Sequence, residues 1–174
     1  MTCIALSGSR VAIRIRYPKN IRNIYRPDYS TIPTVGWVQD SKGWWYRTKE
    51  GNYYKSTWAQ LDGAWYYFDS SGWMQTGWVK SSGAWYYLNN SGAMQTGWVK
   101  TGGSWYYLNN SGAMQTGWAK VDNSWYYLND SGAMKTGWFT VSGKWYYAYS
   151  SGTLAVNTTT PDGYKVNYNG EWIR

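Results

Sequence analysis

The 174-residue sequence contains no histidine, one cysteine, two phenylalanines and four prolines. Without histidine there is no Ser-His or Cys-His nucleophile pair and no imidazole ligand for a metal. The single thiol, Cys3, excludes an internal disulfide framework and a zinc site built on thiolates. It reads as inert, since nothing near it in sequence would firmly depress its pKa. Aliphatic core formers are scarce as well: Leu, Ile, Val and Phe together number 24, a content that taken alone suggests a disordered chain. No apolar run approaches the roughly 20 residues of a membrane helix, so no membrane span is expected. Acidic side chains are few, nine against 17 basic ones.

What the chain does have is aromatic area. Fifteen Trp and nineteen Tyr supply more buriable surface than the aliphatics and overturn the disordered reading. The net charge of +8 is concentrated at the start. Residues 1–33 carry Arg10, Arg14, Arg16, Lys19, Arg22 and Arg26 against Asp28, whereas residues 34–174 carry only +3. Nucleic-acid binding would need that basic head together with stacking platforms. The aromatics lie elsewhere, in a nearly neutral context, so no nucleic acid is expected.

Repetition is the dominant pattern. GWVKSSGAWYYLNNSGAMQT from Gly77 recurs as GWVKTGGSWYYLNNSGAMQT from Gly97 and GWAKVDNSWYYLNDSGAMKT from Gly117. Further opening tryptophans are Trp138, Trp58 and Trp37. These give about six units over residues 34–155, preceded by a basic leader over 1–33, extended or disordered, and followed by a capping hairpin over 156–174. The end units are atypical, as a stacked array requires of units that lack one neighbour.

Each unit reads as a β-hairpin. Trp78–Lys80 is a short strand, Ser81-Ser82-Gly83 contains the turn, and Ala84–Leu88 is the return strand, rich in strand formers. Gly, Asn and Asp at the turn tolerate positive φ, and the sequence leaves open whether two or three residues form it. Asn89-Asn90-Ser91-Gly92 then redirects the chain. A lone hairpin of this size is marginal in water, so an all-β fold of stacked hairpins, a β-solenoid, is predicted. Alternation puts Trp85 and Tyr87 on one face and Tyr86 and Leu88 on the other. The second pair is assigned to the interior, because Leu88, Leu108 and Leu128 are the aliphatics at a fixed position. Trp78 is expected to close against Trp85 as a cross-strand neighbour.

Three large rings per unit would overfill so thin an interior, so some must line grooves between hairpins. The polar neighbours Gln75, Gln95 and Lys100 look too varied to form a recognition set, which leaves mainly π surface. Such surface suits nucleobases, sugar faces or a quaternary ammonium held in an aromatic cage.

The segment from Gly77 to Trp98 resembles the choline-binding repeat of surface proteins from streptococci and their phages: G-W, a second Trp seven residues on, Y-Y, then G-x-M before the next G-W. The likeness runs over about residues 36–174, and the tail GTLAVNTTTPDGYKVNYNGEWIR from Gly152 resembles the terminal segment of such proteins. It implies a left-handed superhelix of hairpins. The implied partner is choline, as the phosphocholine of wall teichoic or membrane lipoteichoic acid, and the implied location is the cell surface, attached to the wall. It further implies sites built from two Trp of one repeat and a Tyr of the next: Trp58, Trp65 and Tyr87; Trp78, Trp85 and Tyr107; Trp98, Trp105 and Tyr127; Trp118, Trp125 and Tyr147. The second Tyr of each pair is chosen because it shares a strand face with the Trp. Met94, Met114 and Met134 are expected at the sides. A first set, Trp37, Trp44 and Tyr67, competes with a register through Trp45. A last, Trp138 and Trp145, has Tyr164 or Tyr168 to complete it. The resemblance also raises homodimerisation through the C-terminal hairpins.

Members of that family usually carry a secretion signal and an effector module, often a wall hydrolase. Residues 1–33 read as neither, the apolar stretch Cys3–Leu6 being too short for a signal. The carboxylates of the repeat region, Asp40, Glu50, Asp62, Asp69, Asp122, Asp130, Asp162 and Glu171, are isolated and fall in turns. A glycosidase needs two facing across a cleft. The expected protein is therefore a binder with no cofactor and no metal. Glucan binding by related repeats, or service as the binding part of a hydrolase, are the alternatives.

Overall fold

The computed structural model describes residues 34–174 and two short antiparallel strands before them, β1 (Ile4–Ala5) and β2 (Val11–Ala12). The remainder of the basic leader lies outside the described residues. Six antiparallel hairpins follow: β3 (Gly36–Gln39) with β4 (Trp44–Arg47), β5 (Thr57–Leu61) with β6 (Ala64–Phe68), β7 (Gly77–Ser81) with β8 (Ala84–Leu88), β9 (Gly97–Thr101) with β10 (Ser104–Leu108), β11 (Gly117–Val121) with β12 (Ser124–Leu128), and β13 (Gly137–Val141) with β14 (Lys144–Ala148). Residues 156–174, read as a hairpin, instead form a three-stranded sheet of β15 (Thr158–Thr159), β16 (Lys165–Val166) and β17 (Trp172–Ile173). The described residues contain no helix. The all-β class of stacked hairpins predicted from the repeat is the class observed. The chain divides into two compact units, residues 1–79 with 88–94, and residues 80–87 with 95–174.

The turn is of two residues. Thr101 pairs with Ser104 and Val121 with Ser124. Between them Gly102 and Gly103, or Asp122 and Asn123, have positive φ at both positions. That is the type I′ geometry whose twist matches the flanking strands, and it explains why Gly, Asn, Asp and Ser occupy these places from the second hairpin to the sixth.

A two-residue turn fixes the register. Trp98 pairs with Tyr107, Val99 with Tyr106 and Lys100 with Trp105. The direct partner of the opening Trp is thus Tyr107, and not the second Trp, which is its diagonal neighbour. One face of this hairpin carries Trp98, Lys100, Trp105 and Tyr107. The other carries Val99, Thr101, Tyr106 and Leu108.

Leu88, Leu108 and Leu128 are fully buried, as is Phe68 at the same position of the second hairpin. Each contributes about 1.5–3 kcal/mol of apolar burial. After each return strand an asparagine organises the exit. Asn109 Oδ1 accepts from the amides of Ser111 and Ala113 and from the Ser111 hydroxyl. Asn89 and Asn129 do the same, and Asp69 accepts the corresponding amides in the second hairpin. The loop then reaches back to the preceding hairpin: the amides of Met94, Met114 and Met134 donate to the carbonyls of Trp65, Trp85 and Trp105, each at 2.8 Å. The repeat is stapled one unit back by backbone bonds.

Candidate functional site: aromatic grooves between hairpins

Within the second unit the ring-bearing face of one hairpin meets the leucine-bearing face of the next. Trp98 lies against Tyr126, ring centroids 4.7 Å apart and planes at 62°. Trp118 lies against Tyr146 at 4.9 Å and 70°. In the first unit Trp37 meets Tyr66 at 4.7 Å and 66°. Against the opening Trp the following hairpin therefore presents the first Tyr of its pair, where the expected sets name Tyr127, Tyr147 and Tyr67. Those residues share a face with the opening Trp of their own hairpin: Tyr127 is 4.9 Å from Trp118, Tyr147 5.2 Å from Trp138 and Tyr67 5.1 Å from Trp58. Hairpins that repeat in one sense along a stack bring opposite faces together. Sharing a strand face with a Trp is therefore what places a Tyr in its own groove and keeps it out of the previous one.

The grooves that open at Trp98 and Trp118 thus have walls of two kinds. From one hairpin come the opening Trp, the second Trp and the second Tyr; from the next comes the first Tyr with its aliphatic neighbours. Trp118 and Trp125 stand perpendicular, 6.4 Å apart, and Phe139 of the next hairpin stacks on Tyr127 at 5.2 Å. The outer wall stays open. Trp65, Trp85, Trp105, Trp125 and Trp145 are 41–48% exposed, while Tyr66 and Tyr146 are buried. Trp58 and Trp65 belong to the first unit and Tyr87 to the second. Trp78 likewise belongs to the first, and Trp85 and Tyr107 to the second. The Tyr87 hydroxyl donates to Thr101 Oγ1 of the next hairpin at 3.5 Å, again one ring face against the opposite face.

The first hairpin settles its register. Trp44 pairs with Gln39, and Trp37 with Tyr46, so Trp44 is the second-Trp position. Trp45 takes the opposite face, where it is buried. Trp37 is itself buried and packs among Ala59, Leu61, Tyr66 and Phe68. At the other end Tyr164 lies 5.7 Å from Trp138, edge-on, and Tyr168 is 82% exposed. A carboxylate also stands here: Asp162 Oδ2 accepts from the Trp138 indole N–H at 2.7 Å and Oδ1 from the Thr160 hydroxyl at 2.6 Å. These two bonds, Thr160 first, hold the Asp162 carboxyl below the usual range. The methionines sit beside the grooves through their backbones. The Met114 and Met134 side chains pack over Gly132 and Gly152 of the next loop, where a Cβ would overlap the sulfur.

A pattern of rings with an open outer side suits a cation that has no hydrogen to donate. Comparison with known proteins bears on its family. The choline-binding repeat model matches residues 55–96, 76–116, 95–135 and 115–158. The chain belongs to the choline-binding repeat family. Choline binding protein F of Streptococcus pneumoniae, solved in the presence of a peptidoglycan analogue, is 57% identical over 81% of this chain and 47% of its own, with a TM-score of 0.77. CbpJ from Streptococcus pneumoniae TIGR4 is 54% identical over 80% of this chain and 48% of its own, with a TM-score of 0.76. The pneumococcal cell wall endolysin from phage Cp-1, complexed with choline, is 44% identical over 77% of this chain and 41% of its own, with a TM-score of 0.53. No curated protein matches the chain. The chain spans about half the length of these solved relatives.

Proposed function

We propose that the repeats bind choline, and that through it the chain attaches to phosphocholine-bearing teichoic or lipoteichoic acids at the bacterial cell surface. The observation that carries this reading is the recurring contact of Trp98 of one hairpin with Tyr126 of the next, repeated by Trp118 with Tyr146 and flanked by the half-exposed Trp105 and Trp125 of the same hairpins as the two opening tryptophans. A trimethylammonium group offers no N–H, so a carboxylate cannot hydrogen-bond it, whereas ring faces attract it at roughly 0.5–2 kcal/mol each. Three rings therefore give a weak site, about millimolar, which a polymer carrying many copies of the ligand can exploit.

The role is binding rather than catalysis. The carboxylates that have partners serve structure: Asp69 organises a loop, Asp162 holds Trp138 and Thr160, and Glu171 pairs with Lys144. Self-association through the C-terminal strands belongs to the same proposal, since Tyr164, Tyr168 and Ile173 are exposed there.

A tryptophan-fluorescence titration with choline, ethanolamine and a glucan oligosaccharide in parallel tests the ligand. Choline is expected to bind and ethanolamine to bind poorly, because a primary ammonium gives up hydration and gains no acceptor. Equal affinity for the two amines would refute the aromatic cage, and binding of the glucan alone would replace choline with a carbohydrate.

A further inference from the structure

One charged side chain recurs at a fixed place beside the outer ring of the grooves. Lys100 is the cross-strand partner of Trp105, and Lys120 of Trp125. Their Nζ atoms lie 5.7 Å and 6.0 Å from the ring centroids, and Lys80 stands 5.8 Å from that of Trp85. All three lysines are exposed. Among the described residues the ion pair is Lys144 with Glu171, so none of the three ammoniums is neutralised by a carboxylate there. The same register position holds Gln39 opposite Trp44, Gln60 opposite Trp65 and Thr140 opposite Trp145. The polar neighbours are thus ordered along the chain: three cationic positions are flanked by uncharged ones. This revises the sequence reading, in which Lys100 looked like one of several unrelated polar residues.

An ammonium held against the indole has two consequences for a ligand on the same rings. It repels a second cation, which weakens free choline. It attracts an anion joined to that cation by a short tether, which is the arrangement in phosphocholine, where two carbons separate the quaternary nitrogen from the phosphate ester. We propose that Lys80, Lys100 and Lys120 are specificity-determining residues that make their grooves favour phosphocholine, the zwitterion displayed on the polymer, over free choline. The grooves with Gln or Thr at this position read the quaternary nitrogen alone. This inference rests on the choline reading above.

The test compares choline with phosphocholine, by calorimetric titration of the whole chain, for the wild type and for K80Q/K100Q/K120Q. Glutamine already occupies the position at Gln60, so the fold tolerates it, and a thermal melt checks this. At low ionic strength the wild type is expected to prefer phosphocholine several-fold. The preference should shrink toward unity at about 1 M salt, where screening acts over roughly 3 Å. In the triple variant the low-salt preference should also shrink, with choline affinity raised. An unchanged ratio in the variant, or a wild-type ratio insensitive to salt, overturns the role of the lysines while choline binding stands. Should the variant not fold, the salt dependence of the wild type alone decides. Failure of both ligands to bind the wild type refutes the choline reading itself, and with it this inference.

Discussion

Trp98 of one hairpin meets Tyr126 of the next edge-on, 4.7 Å between centroids, while Tyr127 turns away to line the groove of Trp118. Adjacent tyrosines of one strand therefore serve two different grooves. The backbone alternation that separates them also gives the grooves at Trp98 and Trp118 a direction: each has its opening Trp on one side and the first Tyr of the next hairpin on the other.

A site-resolved titration follows from this division. Tyr126→Leu should weaken choline binding as read at the Trp98 indole N–H resonance, by a few-fold for the loss of one ring worth about 0.5–2 kcal/mol. The Trp118 resonance should titrate as before. Tyr127→Leu should do the reverse. Equal effects of both substitutions at both tryptophans would show that the grooves are not separable as the ring contacts indicate.

The hairpins, their number and the buried leucines were legible in the sequence because each depends on local pattern. Period 20, turn residues and alternation are all within one repeat, and Leu108 is buried as expected. The facing ring was not legible, because it depends on how one hairpin is laid on the next, and alternation within a strand says nothing of that. The signal that could have found it is the polarity of the repeat: if every unit is added in the same sense, opposite faces must meet. The two-residue turn could be read only with the φ values in hand, which then placed Lys100 opposite Trp105. Asp162 as a partner of Trp138 lies in the atypical last unit, where the repeat offers no template.

Core truncation should be costly despite the small core. Leu108 is fully buried, so its truncation leaves a cavity. Leu108→Ala is expected to destabilise by about 2–5 kcal/mol, measured by chemical denaturation followed by circular dichroism. A change under about 0.5 kcal/mol would mean that the aromatic contacts alone hold the hairpin.

Gly132 is a sharper probe of the stapling between loops. Its φ is +82°, and a Cβ there would overlap Met114 Sδ and Cε. Gly132→Ala meets both backbone strain and a clash, so it should lower stability by more than the ~1 kcal/mol of an ordinary Gly replacement at positive φ. Gly102 provides the control: its φ is +56° and a Cβ would meet nothing within 4 Å. Gly102→Asn is expected to be nearly neutral, because Asp122 stands at that place in the next hairpin with φ 47°. Melting temperatures of the two variants should therefore separate clearly.

The C-terminal strands carry the acid sensitivity. Glu171 has its carboxyl held below the ordinary 4.5, mainly by the hydrogen bond from Lys144 and then by that from Asn167. Asp162 is held below 3.8, by Thr160 first and Trp138 second. A carboxyl whose folded pKa is depressed contributes stability that is present above its unfolded pKa and is lost as the pH falls through the folded value. Docking of the last strands should thus weaken below about pH 4. Lys144 is raised above 10.5 by the same bond, so its part is present below that pH and fades only in strong alkali. Lys144 and Asp162 are exposed and Glu171 is half-buried, and the effect is local. It should appear as pH-dependent exchange of the Trp172 and Ile173 amides, reduced in Glu171→Gln, with the hairpins of residues 97–148 unaffected. Acid release that persisted unchanged in Glu171→Gln with Asp162→Asn would assign it to other groups.

The last expectation concerns number. Grooves repeated every 20 residues face a polymer that repeats its own ligand, and linked weak sites gain effective concentration, about 10²–10⁴ over one site when the spacing allows several to engage. Replacing Trp105 by Ala removes the outer wall of one groove. It leaves in place the backbone carbonyl that receives the Met134 amide, so stacking survives in part. Wall binding should fall modestly for this single change and collapse when Trp65, Trp85, Trp105 and Trp125 are replaced together. Far-ultraviolet circular dichroism must still show the hairpins, since contacts shared between neighbours make such substitutions non-additive. Free choline at tens of millimolar, roughly tenfold above a millimolar site, should elute the wild type from walls, and the Trp105→Ala chain should elute at a lower concentration. If the folded Trp105→Ala chain no longer bound walls at all, one groove would dominate and the multivalent account would be wrong.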